Sequence, residues 1–195
     1  MASTIEKIKQ LREETAAGMM DVKRALEESG GDLNDARRVL RERGQAIAAK
    51  KSARETHEGL IESYIHFNGR VGVLVEVNCE TDFVARTPEF REFARNVALH
   101  VASMDPLAVS EENIPQAAVD EERSIAERQA QETGKPEKIQ EKIVEGRVNK
   151  FVKGSALLTQ DYVKEPDKTV GDLLMETIQK VGENVVVRRF VRYEL

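Results

Sequence analysis

Apolar residues in this chain recur first at helical spacing and later in alternation, and the change separates two kinds of structure. Over residues 3–44 the helical spacing predicts three short helices. The first begins at Ser3, which is placed to form a capping box with Glu6. The second spans residues 19–29 and the third residues 32–44.

The third predicted helix has the clearest ends, because Asp32 is a good N-cap residue and Gly44 a good residue to terminate it. The residues expected to face inward from the three helices are Ile5, Ile8, Leu11, Val22, Ala25, Leu26, Leu33, Ala36, Val39 and Leu40. A core of this size is near the lower limit for independent folding, and small helical modules of this kind usually bind something.

Alternation begins after residues 45–58, an Ala- and Lys-rich stretch that we interpret as a linker, either helical or flexible. Ile61, Ile65 and Phe67 share one parity, and Asn68-Gly69 follows as a two-residue turn signal, because both residues tolerate positive φ. The next strand alternates through Val71, Val73, Val75 and Val77. The pattern predicts an antiparallel hairpin with one buried face.

The rest of the chain returns to helical spacing. Residues 88–104 are predicted as a helix with Thr87 as its N-cap and Pro88 in its first turn. Residues 116–133 and 136–156 are predicted as an antiparallel pair of helices, of which the first is mostly charged and so an exposed arm.

The C-terminal part is predicted to contain a turn at 165–169, around Pro166, and then a helix from Thr169 to Gly182. Residues 185–195 are Val-rich and form a predicted strand that pairs with the hairpin. We therefore predict an α+β protein. It has a three-helix module over residues 1–44, a linker over 45–58, and over 59–195 a core of a three-stranded antiparallel sheet covered by helices, with a helical hairpin arm at about 116–156.

Composition narrows the function classes. The chain of 195 residues carries a net charge of −5, which argues against a general nucleic-acid binder. Residues 1–54 are mildly basic, with 12 Lys and Arg against 9 Asp and Glu. Cys79 is the only cysteine, which fits a reducing compartment. Since no run of about 18 apolar residues occurs, we expect a soluble, cytoplasmic protein without a membrane segment.

Motifs of covalent catalysis are missing from the sequence. It contains no phosphate-binding Gly-rich loop and no G-x-S-x-G elbow. His57, His66 and His100 are scattered without metal-ligand spacing; His66 is expected near the surface, and His100 lies on a helix where it could be at the surface. Cys79 shares the parity of the strand valines, so we expect it to pack as a small hydrophobe rather than act as a nucleophile. We predict no catalytic residues, no metal site and no cofactor.

Two short segments are candidates for contact with another molecule. After Cys79 the strand ends and the chain turns, with Asp82 and Phe83 side by side. Such a corner suits insertion into a partner, although the simpler interpretation, favoured by the spacing alone, is that Asp82 caps the next helix and Phe83 packs into the core. Met19 and Met20 are consecutive, so they cannot both face one helical core. At least one is expected at the surface, where Met suits a contact, unless it folds over the small core.

Three ordered segments of the chain resemble the bacterial elongation factor Ts family. They are residues 11–26 (LREETAAGMMDVKRAL), 78–85 (NCETDFVA) and 182–190 (GENVVVRRF), and together they span nearly the whole chain. The length is similar to the short form of the family, with one core module. The resemblance implies a guanine-nucleotide exchange factor for elongation factor Tu that holds no cofactor of its own and acts on the GDP, GTP and Mg²⁺ of its partner.

The resemblance also implies site residues. In the family a three-helix module similar to a ubiquitin-associated domain docks on the GTPase domain of elongation factor Tu, which here assigns the contact to Arg12, Met19, Met20 and Lys23. A Thr-Asp-Phe-Val turn displaces Mg²⁺ at the nucleotide site, which here assigns that role to Thr81, Asp82, Phe83 and Val84.

Short family members generally form dimers, and a homodimer is therefore implied. Because residues 185–195 contain no cysteine, the dimer would be non-covalent in that strand. No direct nucleic-acid or membrane partner is expected. Other classes stay open from the sequence alone: an adaptor that docks without changing nucleotide affinity, an RNA-binding accessory of the ribosome, and an enzyme that uses Cys79.

Overall fold

The structure is a computed structural model that describes residues 3–15 and 17–195. Its elements in chain order are helices α1 (Thr4–Thr15), α2 (Met19–Glu28) and α3 (Leu33–Lys51), strands β1 (Glu58–Ile65) and β2 (Val71–Cys79), helices α4 (Asp82–Ala85), α5 (Pro88–Met104), α6 (Gln116–Glu132) and α7 (Glu137–Ser155), strands β3 (Asp161–Tyr162) and β4 (Glu165–Thr169), helix α8 (Val170–Val181) and strand β5 (Val185–Glu194). The predicted α+β class is confirmed.

The predicted N-terminal helices form, with their predicted starts. The Ser3 N–H donates to Glu6 Oε2 at 2.7 Å and the Glu6 N–H donates to Ser3 Oγ at 3.2 Å, which completes the capping box. The Asp32 carboxylate caps α3. Ile5 does not face inward as expected, because its side chain is 79% exposed. The buried core of the three helices is Leu11, Ala17, Val22, Ala25, Leu26, Ala36 and Leu40.

Helix α3 continues past Gly44 to Lys51, so the prediction that it ends at Gly44 is wrong. Gly44 is buried, and the side-chain amide of Gln179 occupies the space that a Cβ at residue 44 would need. The missing Cβ therefore leaves room for the Gln179 side chain of α8 against α3, and Gly44 is not a left-handed helix end. The first half of the predicted linker is helical, and the domain boundaries themselves stay a prediction.

The predicted three-stranded sheet forms, and its strand order is β1-β2-β5. Val73, Val75 and Val77 are buried. The parity of β1 is opposite to the expected one: Ile61 and Ile65 are 69% and 66% exposed. Period two identifies the two faces of a strand but does not say which faces the core, and in β1 the more buried parity holds Leu60, Glu62 and Tyr64.

The hairpin turn is longer than the two-residue turn that Asn68-Gly69 indicated. The His66 N–H donates to the Val71 carbonyl at 2.9 Å, and the Gly69 N–H donates to the His66 carbonyl at 2.8 Å. Gly69 has a φ of 68°, whereas Asn68 does not have a positive φ. The central turn residues are therefore right-handed, and Gly69 alone supplies the left-handed step back into β2.

The helical arm forms much as predicted, since α6 and α7 pack through Ala126, Ala130, Val144 and Val148. The predicted turn around Pro166 is instead strand β4, which pairs antiparallel with β3 in a second small sheet. Within the described residues, no helix is both long enough and apolar enough to cross a bilayer.

The chain divides into two compact units. One comprises Met1–Glu62, Glu76–Ala94 and Asp172–Val187, and the other comprises Ser63–Val75, Arg95–Gly171 and Arg188–Leu195. The N-terminal helices and the corner after β2 therefore belong to the same unit.

Candidate functional site

The chain forms a sharp corner between the end of β2 and the start of α5, and residues 80–86 are called the corner below. Thr81 is the N-cap of the short helix α4, and its Oγ1 accepts a hydrogen bond from the Val84 N–H at 3.3 Å. Thr87 then caps α5, since its Oγ1 accepts from the Phe90 N–H at 3.4 Å. Two successive N-caps force the backbone to turn twice within a few residues.

The Glu183 carboxylate binds the backbone at the start of the corner. Its Oε2 accepts hydrogen bonds from the Glu80 N–H at 3.1 Å and the Thr81 N–H at 3.0 Å. Its Oε1 accepts a third from the Thr81 hydroxyl at 2.7 Å. One carboxylate thus satisfies two backbone donors just beyond β2, and hydrogen bonds to a charged acceptor are stronger than neutral ones.

The side chain of Glu80 in turn contacts the residue that follows Glu183. Its Oε1 accepts from the Asn184 N–H at 2.6 Å and lies 3.4 Å from Arg54 Nη1. Asn184 is buried, and its side-chain amide donates to the Arg54 carbonyl at 2.9 Å. Residues 80–81 and 183–184 are therefore joined in both directions, with the segment that follows α3 attached to them.

These contacts shift two pKa values near the corner. The hydrogen bond from the Asn184 N–H lowers the pKa of Glu80 below its ordinary value, while burial opposes this effect and Arg54 adds to it. Burial and the nearby charge of Glu183 raise the pKa of Cys79 to about 11. Cys79 is buried, as expected from its strand parity. A protonated, buried thiol is a poor nucleophile, which disfavours an enzyme that uses Cys79.

The corner presents Asp82 and Phe83 to solvent. Phe83 is 76% exposed although Val84 and Ala85, which follow it on this short helix, are buried, so the alternative that it packs into the core is wrong. Asp82 does not cap a helix. Its side chain is exposed and forms an ion pair with Arg86 at 2.7 Å. Val84 is buried and anchors the corner, so its side chain is turned away from solvent.

The predicted docking residues also lie at the surface. Met19 and Met20 are 57% and 58% exposed, so both are available for contact rather than one of them. Arg12 and Lys23 are exposed as well. A shallow groove on the N-terminal helices is lined by Ile5, Ile8, Lys9, Arg12, Glu13 and Met19. Apolar side chains surrounded by basic and acidic groups suit a protein partner.

The histidines do not assemble a catalytic or metal site among the described residues, where no group of three potential ligands is found. His57 is exposed and 3.0 Å from Glu55, and His66 Nδ1 is 3.1 Å from the Tyr64 hydroxyl. His100, for which the sequence left a surface position open, is fully buried. Its Nδ1 accepts from the Val163 N–H at 3.2 Å, and its Nε2 lies 2.9 Å from Gln160 Oε1.

Sequence reasoning found the corner but missed what holds it. Glu183 and Asn184 were part of a segment that resembled the family, but no role was assigned to them. The signal lies in the pairing of β5 with β2, which brings the residues just before β5 beside those just after β2. Ile5 was missed as a surface residue because its spacing matches the inward stripe of α1.

Comparison with known proteins identifies strong relatives over the full chain. The family model described as "Elongation factor TS" matches residues 2–195. The elongation factor Ts of Rubrobacter xylanophilus is 75% identical over 195 residues, which cover all of both chains. Those of Alkaliphilus oremlandii and Thermoanaerobacter sp. strain X514 are 56% and 53% identical, covering 100% and 97% of this chain and 90% and 93% of theirs.

Proposed function

The chain belongs to the elongation factor Ts family, and we propose that it is a guanine-nucleotide exchange factor of translation. It would bind elongation factor Tu carrying GDP, perturb the Mg²⁺ and phosphate site, and promote the replacement of GDP by GTP. The observation that carries the proposal is the exposure of Phe83 and Asp82 on a corner fixed by hydrogen bonds to Glu183. The activity belongs in the cytoplasm, where translation takes place.

Phe83 supplies the apolar part of the contact. A phenyl ring that is mostly exposed in the free protein gains about 1.5–3 kcal/mol when it is fully buried in a partner's pocket. Because Val84 and Ala85 are buried beside it, little backbone freedom is lost when the ring inserts. The free energy of burying the Phe83 ring is therefore available to displace groups of the partner.

Asp82 supplies the charge. In a GTPase the bound Mg²⁺ bridges the nucleotide phosphates and neutralises their charge. A carboxylate brought to that site competes for the polar groups that support the ion, and loss of the ion leaves the phosphates poorly compensated. Asp82 need not hold a metal for this. The exchange factor uses no cofactor of its own, forms no covalent bond and acts by binding.

The N-terminal helices provide a second contact. Met19 and Met20, with Arg12 and Lys23 near them in sequence, form the proposed docking surface for the GTPase domain. Exposed methionines adapt their shape to a partner surface. Two separate contacts let the docking surface hold the partner while the corner disturbs the nucleotide, and by linkage GTP must weaken the complex as much as the complex weakens nucleotide binding.

A non-covalent homodimer is the proposed assembly. Ile65, Phe67, Tyr193 and Leu195 are 66%, 93%, 70% and 86% exposed, and all four belong to one compact unit. Ile65, Tyr193 and Leu195 line one shallow groove, and large apolar side chains exposed together are unusual on a monomer and suit a second copy. A disulfide is not part of this proposal, because Cys79 is buried. Neither nucleic acid nor a membrane is a proposed partner.

Stopped-flow release of fluorescent GDP from elongation factor Tu tests the function. We expect wild type to accelerate release strongly and Asp82→Ala with Phe83→Ala to lose at least about tenfold of that rate, since 1.36 kcal/mol corresponds to a factor of ten. Glu89→Ala and Leu107→Ala, which remove exposed side chains outside the corner, are the matched controls. Binding without acceleration by wild type would indicate an adaptor, and acceleration retained in the double variant would reject the corner.

A further inference from the structure

We propose that Glu183 is a positioning residue for nucleotide exchange: it holds the corner so that Asp82 and Phe83 enter the partner in a fixed orientation. The inference rests on the proposed function but names a residue outside the segment that contacts the nucleotide site. It assigns to the turn between α8 and β5 a role in exchange rather than in folding alone.

The geometry of the carboxylate supports this role. Both oxygens of Glu183 are used, one by the two backbone N–H groups of Glu80 and Thr81 and the other by the Thr81 hydroxyl. The same hydroxyl oxygen accepts from the Val84 N–H and so begins α4. The Glu183 carboxylate is therefore two hydrogen bonds away from the backbone that carries Asp82 and Phe83.

The contact is held from both sides. Glu80 accepts from the Asn184 N–H, so residues 183 and 184 cannot shift along the corner without breaking bonds in both directions. Glu183 is half-buried, whereas Asp82 and Phe83 are exposed. Glu80 at the start of the corner is half-buried as well, so these hydrogen bonds hold the corner while Asp82 and Phe83 stay open to a partner.

The hydrogen bonds that join residues 183–184 to residues 80–81, called the clamp below, are also connected to the N-terminal module of helices α1–α3, which belongs to the same unit. Glu183 follows Gly182, directly after the end of α8. At the start of α8, Asp172 accepts two hydrogen bonds from Arg41 of α3, Nε at 3.0 Å and Nη2 at 2.8 Å. Helix α8 therefore connects a bidentate ion pair on the N-terminal module with the clamp on the corner, and a partner held by the module meets the corner in one arrangement.

The test compares Glu183→Ala with Glu183→Gln in GDP release over a range of factor concentrations. Gln keeps an oxygen that accepts from the two N–H groups, whereas Ala removes every bond. We expect Ala to lower the maximal release rate by about tenfold to a hundredfold, with a much smaller change in the half-saturating concentration, and Gln to retain most of the rate. Glu89→Ala, an exposed carboxylate on α5, is the matched control and should match wild type.

A readout without the partner separates positioning from exchange. In hydrogen exchange followed by NMR, the Glu80 and Thr81 amides should lose protection in Glu183→Ala, while the unfolding midpoint stays well above the assay temperature. If Glu183→Ala does not fold, Glu183→Leu, which keeps most of the side-chain volume without a hydrogen-bond acceptor, takes its place in both measurements.

Three results would overturn the inference: a full maximal rate in Glu183→Ala, an equal loss in Gln and Ala, which would indicate charge rather than hydrogen bonds, or unchanged protection of the two amides. Failure of wild type and of Glu89→Ala to accelerate release would instead contradict the proposed function. The two failures are therefore distinguishable.

Discussion

Glu80 and Asn184 are 104 residues apart in the chain, yet Glu80 Oε1 accepts a hydrogen bond from the Asn184 N–H at 2.6 Å. The neighbouring residues bind in the opposite sense, since Glu183 accepts from the Glu80 N–H. These reciprocal hydrogen bonds join the end of β2 to the start of β5, just outside the hydrogen-bonded ladder between the two strands. They leave the corner beyond them rigid without covering Asp82 or Phe83.

The Glu80 contact gives a pH dependence with a defined sign. Because the pKa of Glu80 is lowered in the folded protein, the unfolded chain takes up this proton first as the solution becomes acidic. The contact thus contributes its full stability above the ordinary Glu pKa of about 4.3 and loses it as pH falls through the folded value. We expect Glu80→Gln to reduce the loss of unfolding free energy on acidification, measured by urea titration from pH 6 to pH 3. An equal loss in Glu80→Gln and wild type would contradict this assignment.

Gly59 and Gly69 both have positive φ, 151° and 68°, but differ in the space around them. A Cβ at Gly59 would collide with the Val77 carbonyl oxygen, whereas among the described residues no atom beyond the adjacent residues lies within 4 Å of one at Gly69. We expect Gly59→Ala to cost more than about 3 kcal/mol of unfolding free energy and Gly69→Ala about 1–2 kcal/mol, from the left-handed backbone alone. Denaturant titration of both variants measures the difference. Equal costs would mean that the close approach at Gly59 relaxes easily.

Local signals predicted the starts of the helices well, and long-range pairing explains what they missed. Thr87 and Pro88 fixed the start of α5, because an N-cap and a proline act within one turn. Glu183 has no such local signature, since its partners lie across the strand pairing. The helix end expected at Gly44 failed for a related reason: only the packing of α8 shows that this glycine serves close approach.

The candidate site was predicted in part. The acidic and aromatic pair at residues 82–83 stood out in the sequence, but exposure of Phe83 depends on Val84 and Ala85 being buried instead. Phe83, Val84 and Ala85 are all apolar, and a pattern over four residues does not show which of them are buried. The orientation of β1 was undetermined in the same way, because both of its parities contain large apolar residues.

His100 predicts a second pH effect, with a different window. Burial lowers its pKa below the ordinary value near 6.5, and the Val163 N–H donates to Nδ1, so the folded ring is neutral. The unfolded chain binds the proton first, and stability therefore falls as pH drops below about 6.5 until the folded ring also titrates. We expect His100→Gln to flatten this slope by up to about 1.4 kcal/mol per pH unit. His57→Gln, at an exposed ring, is the control, and an unchanged slope in His100→Gln would refute the prediction.

We expect the Cys79 thiol to be unreactive in the folded protein. Its pKa of about 11 leaves almost no thiolate at pH 8, and its side chain is buried. We expect iodoacetamide to modify it slowly in buffer and rapidly in urea, as followed by mass spectrometry. Cys79→Ala should keep GDP release near the wild-type rate while losing about 1–2 kcal/mol of packing. Rapid labelling of the native protein, or loss of exchange without unfolding, would favour a reactive role for the thiol.

The homodimer proposal predicts that exposed apolar residues near the hairpin turn and in β5 govern association. Phe67 and Tyr193 belong to one compact unit and are 93% and 70% exposed. We expect sedimentation velocity to show concentration-dependent association of wild type that Phe67→Ser with Tyr193→Ser weakens by at least about tenfold, because each large side chain loses roughly 1.5–3 kcal/mol of burial. Ile139→Ser, at a 45% exposed position on the arm, controls for a general loss of apolar surface. Reducing agent should change neither result, since Cys79 is buried. A wild-type chain that stays monomeric at high concentration would refute the dimer, and an equal effect of the control would place its interface elsewhere.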